Sequence, residues 1–83
     1  MAAKRLGVVG IVLEDGARVK EVNELLHQYS HIISGRMGLP YKERNVSVIS
    51  LIVDGTTDEI GALTGSLGKL YGVSVKSALT KES

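Results

Sequence analysis

The pattern of apolar and polar residues along the chain predicts four β-strands. Branched aliphatic residues gather in short runs that glycine, proline or polar residues separate, as is typical of strands. The four runs span residues 6–13, 31–39, 46–53 and 73–79. Pro40 ends the second run because proline donates no N–H to a ladder, and Asp54-Gly55 ends the third with a turn signal.

Two helices are predicted between these strands, because apolar residues recur there at steps of three and four. The first helix spans 17–29, and its apolar stripe is Val19, Val22, Leu26 and Tyr29. The second helix ends at Gly72, and its stripe is Ile60, Leu63, Leu67 and Leu70. Asp15 is placed to cap the first helix, while Thr56 and Glu59 have the spacing of a capping box at the second.

The second helix also carries three glycines along one side, Gly61, Gly65 and Gly68. Each glycine lowers helix propensity by about 0.8–1 kcal/mol relative to alanine. We expect these positions to allow close approach of the sheet or of a partner helix. The alternative is a loosened helix that responds to a ligand.

The order strand, helix, strand, strand, helix, strand indicates an α+β protein with the ferredoxin-like βαββαβ fold. In this fold an antiparallel four-stranded sheet carries both helices on one face. The first and third strands are continuously aliphatic, so we expect them at the centre, in the spatial order fourth, first, third, second. A chain of 83 residues, 43% of them hydrophobic, suffices for one such domain over 1–83.

Both faces of the two central strands are apolar, and two helices on one side cannot cover both. We therefore expect the free face of the sheet to meet another copy of the chain, in a homodimer or homotetramer. The residues assigned to this interface are Val9, Ile11, Leu13, Ile49, Leu51 and Val53. The alternative is an apolar patch that stays exposed.

Charge and composition exclude several classes of protein. Ten Lys or Arg against nine Asp or Glu leave a formal charge of +1 with the cations scattered, which argues against direct nucleic-acid binding. The absence of cysteine excludes a disulfide scaffold and any cysteine-ligated metal site. No apolar run approaches the ~18 residues of a membrane span, and no signal-peptide cleavage site follows the run 6–13, so we expect a cytoplasmic protein.

The candidate chemistry is confined to binding. No nucleophile has an evident base and no cofactor motif occurs, so we expect neither an enzyme nor a cofactor. Arg36, followed by Met37 and Gly38 at the sheet edge, could bind a small carboxylate through two of its guanidinium nitrogens, or could only protect the edge from aggregation. His27 and His31 are four residues apart and could hold a metal across subunits, although surface histidines need no such role.

Three stretches resemble the family of iron-only hydrogenase system regulators: residues 36–41 (RMGLPY), 50–65 (SLIVDGTTDEIGALTG) and 72–77 (GVSVKS). That family is similar to ACT domains and to the C-terminal domain of nickel-responsive regulators, which share the ferredoxin-like fold. The resemblance implies an ACT-like domain that assembles through its sheet and binds an amino acid or a metal at subunit interfaces.

By this resemblance, a ligand would lie against the first strand-to-helix turn of one subunit and the second strand of its neighbour. That turn is Glu14, Asp15 and Gly16. Together with Arg36, Met37 and Gly38 of the second strand, these are the candidate ligand-binding residues. The sequence thus predicts a non-enzymatic oligomeric regulatory module of the iron-only hydrogenase system, which senses a small molecule or binds a separate regulatory protein. The alternative is a metal-sensing oligomer built on His27 and His31, although the nickel sites of the related regulators need a cysteine that this chain lacks.

Overall fold

Strands and helices alternate in the predicted order in the computed structural model, which describes residues 3–81. The strands are β1 (Lys4–Leu13), β2 (Ile33–Tyr41), β3 (Val46–Thr56) and β4 (Val73–Leu79). The helices are α1 (Val19–Gln28), between β1 and β2, and α2 (Thr57–Gly68), between β3 and β4. Two 3₁₀ turns, Ser30–Ile32 and Lys42–Arg44, precede β2 and β3.

All neighbouring strands pair antiparallel, in the order β2-β3-β1-β4. Both helices contribute buried residues to a single core with the central strands, so they lie on the same face of the sheet. The ferredoxin-like fold and the predicted strand order are therefore confirmed.

The second strand begins and ends later than predicted. His31 lies in a 3₁₀ turn, so β2 begins at Ile33, and the strand continues through Pro40 to Tyr41. Proline is tolerated there because β2 is an edge strand, whose outer side needs no N–H donor. The prediction that Pro40 ends the strand is wrong for this reason.

The third strand also runs further than predicted, directly to the start of α2. β3 continues through Asp54-Gly55 because Lys4–Leu6 of β1 pair with its last three residues. The capping box then starts α2 as predicted. The Thr56 hydroxyl accepts a hydrogen bond from the Glu59 N–H at 3.1 Å, and the Glu59 carboxylate accepts one from the Thr56 N–H at 2.9 Å.

The first helix begins later than predicted, at Val19. Arg18 occupies its N-cap position and makes no side-chain cap bond, so the predicted Asp15 cap is wrong. The turn after β1 explains the difference, because the Ala17 N–H donates to the Glu14 carbonyl at 3.0 Å before the helix starts.

The core lies between the helices and one face of the sheet, and it is entirely aliphatic. From the turn and helices it contains Val22, Leu26, Ile32, Ile60, Leu63 and Leu67. From the sheet it contains Val9, Ile11, Leu13, Ile49, Leu51 and Val53, none more than 8% exposed. These six sheet residues are the ones that the sequence pattern assigned to the free face, and that assignment is wrong. Because both faces of β1 and β3 are apolar, alternation alone could not identify the face that the helices cover.

Candidate functional site

An apolar surface covers the side of the sheet opposite the helices. Eight residues, with exposed fractions from 37% to 73%, share this side. We call them the open sheet face: Leu6, Val8, Val12, Met37, Leu39, Tyr41, Val48 and Ile52. Within residues 3–81 only two other large hydrophobic residues are comparably exposed, Val19 and Tyr71. The exposed apolar side chains are therefore concentrated on one face, as at a protein-binding surface.

A β-bulge near the start of β2 sets which of its side chains reach this face. Ile33 pairs with Val53, but Gly35 already pairs with Ile52, so Ser34 is an extra residue in the strand. A shift of one residue exchanges the two faces of a strand. The bulge therefore decides the orientation of every later residue in β2.

The bulge has opposite consequences for two neighbouring residues. Met37 pairs with Ser50, so it lies on the open side of the sheet and is part of the open sheet face. Arg36 pairs with Leu51, a core residue, so it lies on the side of the helices. Without the bulge, the guanidinium group would lie on the apolar face and Met37 would face the helices.

Charged residues of both signs accompany the apolar residues on the open side. Asp54 pairs with Leu6, and Lys76 of β4 pairs with Gly10, so the alternation of the strands turns both charges to this side. Both side chains are exposed. The open side of the sheet thus carries an apolar centre with Asp54, Lys76 and, at the start of β1, Lys4 beside it.

The turn Glu14-Asp15-Gly16 lies at one end of the sheet beside a surface cavity of about 470 Å³. Gly16 has a φ of +84°, a conformation that favours glycine. The Glu14 N–H donates to the Gly72 carbonyl at 2.8 Å, which fixes the turn to the start of β4. Further polar groups on this cavity come from Tyr41, Lys42, Asn45 and Ser47.

The six predicted ligand-binding residues do not share one site within a single chain. Glu14, Asp15 and Gly16 line the cavity at the end of the sheet, whereas Arg36 lines a separate groove beside α1. Met37 lies on the open sheet face, and Gly38 pairs with the core residue Ile49. A site that uses all six residues therefore requires two subunits.

The two histidines lie in different surroundings. His27 is in the last turn of α1, beside the groove that Arg36 lines. His31 lies 3.4 Å from Glu59, measured from its Nε2 to Oε2, and its ring stacks on Tyr29. Within residues 3–81, no three His, Asp or Glu side chains come close enough to hold a metal ion.

Hydrogen bonds favour the charged form of two half-buried carboxylates, Glu59 and Glu21. The hydrogen bond from the Thr56 N–H is the largest cause of the lowered pKa of Glu59. The Thr56 hydroxyl lowers this pKa further, and so does the nearby His31. The Arg18 guanidinium, which donates to Glu21 at 3.1 Å, lowers the pKa of Glu21. Both groups therefore keep their negative charge to lower pH than a free glutamate does.

Sequence reasoning missed Leu39 and Tyr41 on the open sheet face, and Asn23 beside Arg36. The first two were missed because their orientation depends on the bulge. Gly35, an isolated glycine inside a strand pattern, was the one signal that could have located it. Nothing in the sequence distinguishes Asn23 from the other polar residues of α1.

The strand order, the helices on one face and the uncovered apolar side define a small ferredoxin-like domain. The chain belongs to the TM1266-like family, described as "Iron-only hydrogenase system regulator, putative", whose family model matches residues 5–77. This membership supports a regulatory role. No curated protein sequence matches the chain.

Two solved structures are similar to the chain, one in sequence and fold and the other in fold alone. The chain is similar to the uncharacterized protein TM1266 from Thermotoga maritima, with 43% identity and a TM-score of 0.89, over 94% of this chain and 99% of that one. It is also similar to the apo form of CPII from Thiomonas intermedia K12, a nitrogen regulatory PII-like protein. That likeness covers 100% of each chain at 16% identity and a TM-score of 0.54, so it concerns the fold alone. Among residues 3–81, no helix is long and apolar enough to cross a membrane.

Proposed function

We propose that the chain is a non-enzymatic regulatory module that assembles with itself through the open sheet face and responds to a small molecule or a separate protein. The observation that supports self-assembly most directly is the concentration of exposed apolar side chains on one side of the sheet. A small domain buries a limited fraction of its surface alone, so covering this face would also add stability.

The occupant that fits the open sheet face best is a second copy of the chain. The face is an apolar surface built on an extended sheet, and two such sheets pack well face to face. Asp54, Lys4 and Lys76 add charges of both signs to the same side, so a two-fold arrangement could pair opposite charges. We therefore propose a homodimer, or a homotetramer with a second contact.

The regulatory part of the proposal is supported by membership of the family of iron-only hydrogenase system regulators. We propose that the module acts in that system. Its ligand or partner would be recognised by the predicted residues Glu14-Asp15-Gly16 of one subunit and by Arg36 and Gly38 on the helix side of the other. Met37 lies on the opposite side of the sheet and would contribute to the contact between the two subunits. The separation of these two groups within one chain is consistent with a site shared between subunits.

The test is the subunit mass of a double variant, Val8→Lys with Ile52→Lys, by size-exclusion chromatography with light scattering. These two residues pair across β1 and β3 and are each 42% exposed, so lysines there add charge to the face without filling the core. We expect a multiple of the 8.8 kDa chain mass for the wild type and the single mass for the double variant.

The matched control is Val19→Lys, which changes an exposed valine on α1 outside the open sheet face. It should leave the subunit mass unchanged. Circular dichroism should show the same helix and strand content in all three proteins. A double variant that is folded and still associates like the wild type would refute this interface.

A further inference from the structure

A groove between α1 and β2 gathers hydrogen-bond donors around the Arg36 guanidinium. Its volume is about 460 Å³. Four polar side chains line it, Asn23, His27, Ser30 and Arg36, and all of them can donate. None of the residues that line the groove is acidic. The groove therefore favours an anion.

Most of the N–H donors of Arg36 are not used within the described chain. Its Nη2 donates to the Asn23 Oδ1 at 3.4 Å, a long hydrogen bond across the groove. Among residues 3–81 it makes no ion pair with a carboxylate. A guanidinium group has five N–H donors in a fixed plane, so several remain for a ligand.

The β2 bulge gives Arg36 its place in the groove. Because Ser34 is an extra residue, Arg36 lies on the helix side of the sheet rather than on the open sheet face. Bulges are common next to binding sites, where they redirect a side chain.

Apolar residues beside the hydrogen-bond donors favour an anion that also carries an apolar group. Leu26 is buried and Ile33 is half-buried, and both line the groove. An inorganic ion such as phosphate would leave this apolar part uncovered. Lys20 and Glu24 lie on the neighbouring surface of α1, where their charges offset one another.

We propose that this groove binds a small organic carboxylate with a short aliphatic chain. The Arg36 guanidinium grips the carboxylate through two parallel N–H···O bonds. Asn23, His27 and Ser30 are placed to donate further hydrogen bonds, and the aliphatic chain covers the half-buried Ile33. The regulatory meaning of this binding rests on the proposed function, but the groove itself is formed within one chain.

The experiment is a titration of ¹⁵N-labelled full-length protein followed by ¹H–¹⁵N correlation spectra. The probe is isobutyrate, and isobutyramide is its neutral analogue of the same shape. We expect isobutyrate to shift the amide signals of Asn23, His27 and Arg36, while isobutyramide shifts none of them. Inorganic phosphate should bind at least about tenfold more weakly, because it gains nothing from the apolar part of the groove.

Two variants make the test specific. Arg36→Gln should weaken isobutyrate binding about tenfold or more, since a charge-assisted pair is lost. Arg44→Gln removes an exposed arginine from the turn between β2 and β3 and should leave binding unchanged. The dispersion of the spectra shows whether each variant is folded.

Four results would overturn the proposal: no response to isobutyrate, an equal response to isobutyramide, binding that survives Arg36→Gln, or phosphate binding as tightly as isobutyrate. Light scattering on the same samples separates this proposal from the proposed function. An oligomer that ignores isobutyrate would refute only the groove ligand. A monomer that binds it would refute only self-assembly.

Discussion

At the scale of single residues, the capping box at the start of α2 ties the charge of Glu59 to folding. The Thr56 N–H and hydroxyl hold the pKa of Glu59 below its ordinary value of 4.5. A carboxyl group whose pKa is lowered by folding stabilises the folded state above its unfolded pKa. That contribution disappears as the pH falls through the lowered folded pKa.

We therefore predict a pH-dependent effect of Glu59→Gln, a substitution that mimics the neutral carboxyl group. The wild type should have the higher midpoint of thermal unfolding at pH 7, and the difference should shrink once the pH falls below about 4.5. Circular dichroism melts between pH 7 and pH 3 would measure this. A difference that stays constant over the range would show that the charge of Glu59 does not contribute to stability.

Gly7 and Gly10 of β1 provide a second prediction at the residue scale. A Cβ atom at Gly7 would meet the Ala78 carbonyl oxygen, and would lie 2.5 Å from the Leu79 Cδ2. At Gly10 the nearest atom, the Lys76 carbonyl oxygen, is 3.9 Å away. Gly7→Ala should therefore lower the free energy of unfolding by about 1–3 kcal/mol, because neighbouring backbone has to move.

Gly10→Ala is the matched control and should leave that free energy unchanged or slightly raised. Urea denaturation of both variants measures the difference. Equal effects of the two substitutions would mean that the tight contact between β1 and β4 at Gly7 is not present.

At the scale of elements, the glycines of α2 behave differently from the sequence-based expectation. A Cβ atom at Gly61, Gly65 or Gly68 would meet nothing within 4 Å in the described chain, so these glycines do not permit close approach of the sheet. We predict that Gly65→Ala raises the free energy of unfolding by about 1 kcal/mol through helix propensity. A loss of stability would instead indicate a close neighbour at this position in the assembled protein.

Gly72→Ala is the opposite control for the same urea experiment. Gly72 has a φ of +74°, and a Cβ atom there would lie 3.2 Å from the Ala17 Cα and Cβ atoms. Backbone strain and crowding against Ala17 should both lower the free energy of unfolding of the Gly72→Ala variant. Comparison of the two variants therefore distinguishes Gly72, whose backbone conformation favours glycine, from Gly65, which tolerates alanine.

The sequence pattern predicted where the strands and helices lie better than it predicted which face of each strand the helices cover. Aliphatic runs and helical stripes located all four strands and both helices, and the Thr56–Glu59 spacing located the start of α2. The pattern could not choose the covered face of β1 and β3, because that choice depends on where the helices pack. It also could not fix the faces of β2, because one extra residue, Ser34, exchanges them.

At the scale of the whole molecule, the contrast between the covered and the uncovered face of the sheet supports the proposed self-assembly. The helices cover one face, and Val9, Ile11 and Leu51 are fully buried there. The open sheet face is equally aliphatic in its central strands but has no cover in the single chain. The Arg36 groove shares no residue with that face, so a ligand could reach it after two sheets have packed, whereas Tyr41 of the face also lines the cavity at the Glu14-Asp15-Gly16 turn.

Native mass spectrometry of the freshly purified wild-type protein is the most direct test of self-assembly, because one spectrum gives the number of subunits and the mass of anything bound to them. We predict a dimer or tetramer of the 8.8 kDa chain, at concentrations where the Val8→Lys, Ile52→Lys variant is a monomer. A retained small molecule would add its own mass to that of the oligomer. A wild-type protein that is folded and monomeric at every accessible concentration would contradict the account.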